Sequence, residues 1–168
     1  MSRSAAKSHY ITPIDATGAV QQNPAPAGVF TLAPSTTYYY VIPCAGSPYA
    51  SVTMTSLTAA MVITSATVQD TDHPLGGVGT GGAAGVTDFA NPANSAGVVY
   101  WPSEGNSSSA VAVSGTGWSA TNGVIAATGA GLGAARFNIE GTAAFRTRLE
   151  VVVGATGGQL MVSCYEKA

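Results

Sequence analysis

The final third of the chain alternates so regularly that it can only be extended. Phe145, Thr147, Leu149, Val151 and Val153 fall on one side of a strand, with Arg146, Arg148, Glu150 and Val152 on the other. Successive side chains of a strand point to opposite faces, so the pattern makes one apolar and one polar face. Gly154-Ala-Thr-Gly-Gly158 interrupts it. Leu160, Val162 and Cys164 then point one way, and Gln159, Met161, Ser163 and Tyr165 the other. Two such runs around a glycine-rich loop predict a β-hairpin over 144–166. Ala135-Arg-Phe-Asn-Ile-Glu140 alternates in the same way, with Phe137 and Ile139 opposite Arg136, Asn138 and Glu140.

Shorter β-like runs precede these. Val29-Phe-Thr-Leu32 is the first, and Thr37-Tyr-Tyr-Tyr-Val-Ile42 follows, ended by Pro43. Ser51-Val-Thr-Met-Thr55 places Val52 and Met54 on one face. Residues 59–68 are more continuously apolar, and their Thr and Val content favours a strand over a helix. Residues 74–96, rich in Gly, Ala, Asn and Pro, read as a long loop. Gly97-Val-Val-Tyr-Trp101, Ala110-Val-Ala-Val113 and Gly123-Val-Ile-Ala-Ala127 come after it. About nine short strands, frequent turn residues and almost no helix-forming stretch predict an all-β fold, an antiparallel β-sandwich or jelly roll. No fixed-period repeat points to a solenoid or propeller.

Residues 1–27 differ from the rest. Pro24 and Pro26 remove backbone donors and favour extended structure, so this segment reads as an N-terminal arm ahead of a sandwich domain at 28–168. Charge is scarce: only 8% of residues are Asp, Glu, Lys or Arg, and the net charge is -2. Disordered chains pair low hydrophobicity with high net charge, which is not the balance here. A folded surface with so few charges favours association, so much of it is expected to face other protein. The charge balance argues against nucleic-acid binding. No apolar run approaches the ~20 residues of a membrane helix, and no signal peptide is visible, so assembly in a cytoplasm is expected. Cys44 and Cys164 have no CxxC or Cys/His pattern around them, and no metal or cofactor is expected.

Catalytic constellations are missing from the pattern. Asp70, Asp72 and His73 form the only carboxylate–histidine run, and a strand-end turn before Pro74 explains it. His9 has no carboxylate or cysteine near it in sequence. The glycine-rich segments 76–82 and 129–133 lack the Lys-Ser/Thr and helix of a phosphate loop, and Gly-x-Ser-x-Gly is absent. The chain is therefore expected not to be an enzyme.

What remains is surface for partners. In the run Tyr38, Tyr39, Tyr40 the middle residue must face away from its neighbours, so at least one side is exposed or at an interface. With Tyr49, Tyr100, Trp101 and Trp118 these rings serve core and interface packing, or a carbohydrate platform. Arg146 and Arg148 lie on the polar face of one strand, with Arg136 and Glu140 expected across from them. That face is either solvated and charge-paired or an inter-subunit contact, where Arg is favoured. Tyr38, Tyr39, Tyr40, Arg146 and Arg148 are the candidate interface residues.

The Pro/Ala-rich arm, the Gly/Ala/Thr-rich strands and the ending Leu149-Glu-Val-Val-Val-Gly-Ala-Thr-Gly-Gly-Gln-Leu-Met-Val-Ser-Cys164 resemble structural proteins of tailed-phage virions. The resemblance is to capsid decoration (cement) or head-stabilising proteins in particular. It covers about 20 residues, the rest being compositional, and it carries over no functional residue. It implies a sandwich or jelly roll present in many copies on the capsid surface. It also implies binding to the major capsid protein or other virion proteins, often as a trimer. The alternatives are a tail, collar or fibre component, or a carbohydrate-binding sandwich.

Overall fold

In the computed structural model the alternating segments become strands, and the apolar side of each faces a single core. The structure describes residues 7–17, 19, 21, 28–42, 49–71, 101–102, 111–140 and 146–167. The strands are β1 (Lys7–Tyr10), β2 (Ile14–Asp15), β3 (Val29–Leu32), β4 (Thr37–Ile42), β5 (Tyr49–Ser56), β6 (Val62–Thr71), β7 (Trp101–Pro102), β8 (Val111–Gly115), β9 (Trp118–Thr121), β10 (Val124–Thr128), β11 (Gly133–Glu140), β12 (Arg146–Val153) and β13 (Gly158–Lys167). No helix occurs among the described residues.

These strands form two antiparallel sheets. The first runs β1-β13-β5-β11-β8, with β3 also on β13; the second runs β2-β4-β12-β6-β10-β9, with β7 also on β6. Strands β1 and β3 lie end to end along one edge of β13: β3 pairs with Gly158–Met161, and β1 with Ser163–Glu166. Between the sheets lies a core that includes Leu32, Tyr40, Met54, Ile63, Ile125, Phe137, Leu149, Val151, Leu160 and Val162, each nearly or fully removed from water. The protein is therefore an antiparallel β-sandwich, as the alternation predicts.

The 144–166 hairpin is corrected. β12 pairs with β4 and β6, while β13 pairs with β1, β3 and β5, so the two strands lie in opposite sheets. Residues 154–157 form a corner and not a hairpin loop. The corner is tied by Gly154 N–H to Val62 O at 2.9 Å, Ser35 N–H to Gly154 O at 2.8 Å and Val62 N–H to Thr156 O at 3.0 Å. A Cβ at Gly157 would lie 2.3 Å from the Leu32 carbonyl oxygen, so only glycine allows this close approach. The same correction separates Arg136 from Arg148, because β11 belongs to the first sheet and β12 to the second.

Other boundaries shift for local reasons. β6 begins at Val62 and not at residue 59, because the Ser56 hydroxyl organises a turn. It donates to Thr58 O at 2.9 Å and accepts from Thr58 N–H at 3.3 Å. The hairpin β9–β10 goes beyond the β-like runs of the sequence, although Asn122-Gly123 signals it. Both residues have positive φ (50° and 78°) and Thr121 pairs with Val124, the geometry of a two-residue turn. Of the segment 1–27, residues 7–10 and 14–15 pair within the chain's own sheets, and Ile11, Pro13 and Ile14 are buried. The loop 74–96, Asp72 and His73 lie outside the described residues.

Candidate functional sites

Among the described residues, the outer face of the second sheet carries an organised polar cluster. In register, Arg148 stands beside Val41 and Gln69, and Glu150 beside Tyr39 and Thr67. Arg148 Nε donates to Gln69 Oε1 at 2.9 Å, and its guanidinium lies 4.4 Å from the centroid of the Tyr39 ring. This stacking holds a planar cation over an aromatic face, and it leaves Arg148 only 6% exposed although it points away from the core. Tyr39 is half-buried. Its phenol is pushed above its ordinary pKa by burial and then by the Glu150 carboxylate, to which it donates, while Arg148 opposes the shift. Tyr39 therefore stays protonated at neutral pH, as a hydrogen-bond donor on a surface already charge-compensated. Such a grid presents a ring, a guanidinium and a carboxylate to a binding partner.

The five interface candidates therefore separate. Tyr39 and Arg148 come together on the outer face. Tyr38 and Tyr40 are core residues, 3% and 0% exposed, so neither presents a surface to a partner. The alternation of the triple tyrosine was legible, but which side is inside depends on where β4 sits in the sandwich. The Tyr38 oxygen accepts the Ala33 N–H at 2.9 Å. The Tyr40 hydroxyl is buried without a partner, and burial drives its pKa strongly upward. Arg146 pairs in register with Thr71, and its side chain lies outside the described residues. Trp118 is also buried, so three rings of the candidate carbohydrate platform belong to the interior.

A second cluster brings the two ends of the described chain together. β1 pairs with β13 so that His9 is the Cα partner of Cys164, and Glu166 follows two residues on along the same face of β13. His9 Nε2 lies 3.7 Å from Glu166 Oε1, and the ligating atoms of His9, Cys164 and Glu166 all fall within 4.8 Å of one another. His9 is thus not remote from cysteine and carboxylate, as sequence proximity implied. The β1–β13 register, which no local pattern encodes, supplies both. Donors of this kind can hold a transition-metal ion.

No protein-family model and no curated protein matches this chain.

Proposed function

We propose that this protein is a structural component of a phage virion that decorates and stabilises the capsid by binding its shell. The observation that carries this reading is the strand order. The order β3-β13-β5-β11 in one sheet and β4-β12-β6-β10 in the other supports reading these eight strands as a jelly roll. Consecutive strands of the set change sheets except at β6 and β10. Viral capsid and lectin domains use that architecture. Fold alone does not give function, so the surface must narrow the choice. With 8% charged residues the protein has little to keep it from packing against other protein. The Tyr39–Arg148 grid adds an aromatic and an arginine, the residue types favoured at interfaces. A decoration protein of this kind acts as a homo-oligomer, a trimer in the first instance, on the major capsid protein. It adds stability because it binds the assembled shell and not its dispersed subunits. The reading places the protein on the capsid surface, with no catalytic step.

Locating the chain in purified particles tests this. Density for a symmetric oligomer on the outer capsid face is the expected result. Absence from particles, or density confined to tail or fibre, overturns it.

A further inference from the structure

We propose that His9, Cys164 and Glu166 form a binding site for a zinc-class divalent cation that fastens the N-terminal strand to the C-terminal one. Three observations converge on it. The ligating atoms, a ring nitrogen, a sulfur and a carboxylate oxygen, lie within 4.8 Å of one another, and the nitrogen and oxygen are already at 3.7 Å. A tetrahedral zinc with ordinary bond lengths sets its ligands about 3.3–3.8 Å apart, so only small side-chain rotations complete the site. His9 Nε2 is shielded from water and has no hydrogen-bond partner, a costly arrangement that a metal bond would relieve. Finally, access is one-sided: Cys164 is fully buried, whereas the side chains of His9 and Glu166 are 37% and 19% exposed. Rotation of the His9 ring would open its nitrogen to an ion entering from that side, where a water would complete the coordination.

The donor set selects the metal. Thiolate and imidazole with a single carboxylate suit zinc-like ions, whereas calcium and magnesium require several oxygen donors. Binding converts the Cys164 thiol to a thiolate and releases its proton to solvent. The structural consequence follows from position. β1 is a four-residue strand on the edge of its sheet, joined to β13 by its backbone ladder. A metal bonded to both strands would fasten it by side chains as well, and its stabilisation of the fold would grow with the logarithm of free metal over its dissociation constant.

Cobalt(II) titration of the full-length, chelator-stripped protein tests this, because cobalt reports its ligands by absorption. The expected result is a thiolate-to-cobalt charge-transfer band that saturates at one equivalent and is displaced by zinc. It should persist in Cys44→Ser, vanish in Cys164→Ser, and need at least about tenfold more cobalt in His9→Gln. Zinc should raise the Tm of the wild type and not of His9→Gln. No charge-transfer band, or a band unaltered in His9→Gln, overturns the site. His9→Gln decides the question even if Cys164→Ser, at a fully buried position, fails to fold.

Discussion

The indole of Trp118 occupies the space that a side chain at position 133 would need: a Cβ built on Gly133 would lie 2.4 Å from both Cδ1 and Nε1 of the ring. Trp118 opens β9 in the second sheet and Gly133 opens β11 in the first, so this contact closes one edge of the sandwich. Gly133→Ala should therefore displace the indole. The expected cost is about 1–3 kcal/mol, with a red-shifted tryptophan emission, read from urea unfolding followed by fluorescence. Unchanged stability and emission would show that the Trp118–Gly133 contact tolerates a methyl group.

Tyr38 and Tyr40 are chemically alike and should respond oppositely to loss of the hydroxyl. Tyr38→Phe removes the acceptor of the Ala33 N–H and should cost about 1 kcal/mol. Tyr40→Phe removes a buried hydroxyl with no partner and should leave stability unchanged or higher. Denaturant midpoints of the two variants, compared at neutral pH, check the difference in sign.

Alkaline pH should unfold the protein, with the sign set by these phenols. Folding raises the pKa of Tyr40 by burial, and of Tyr39 by burial and the Glu150 carboxylate. The folded state thus holds protons that the unfolded state releases. The associated stability is complete below the unfolded tyrosine pKa of about 10 and declines as pH rises above it. Denaturant midpoints measured through this range should fall in the wild type and fall less steeply in Tyr40→Phe.

Arg148 is held by shape as well as charge. Arg148→Lys keeps the charge but loses the planar group that stacks on Tyr39 and the Nε–H that donates to Gln69. It should cost about 1–2 kcal/mol by thermal or chemical denaturation. A neutral result would mean that Arg148 is held only by its charge.

The N-terminal segment contributes to the domain itself. Ile11 and Ile14 are 7% and 8% exposed, and Ile11 N–H donates to Val162 O at 3.0 Å. Ile11→Ala should lower the stability of the isolated protein by about 2–3 kcal/mol. A segment that served only to reach a neighbouring subunit would leave that stability unchanged.

The sequence by itself determined that most of these segments are extended and, in β12 and β13, which side is apolar. Leu149, Val151, Leu160, Val162 and Cys164 are all buried as their alternation requires, and β3 and β4 begin and end where their β-branched and aromatic runs do. Period-two alternation says that one face is covered, but not by what. A strand in a hairpin and a strand across the core from its chain neighbour look the same, which is why β12 and β13 read as a hairpin and fold into opposite sheets. Only the tertiary structure decided that Tyr39 faces Arg148 while Tyr38 and Tyr40 fill the core. Likewise only the register of β1 on β13 sets His9 against Cys164 and Glu166. Such pairings are set by contacts between strands far apart along the chain, where local propensity has no information.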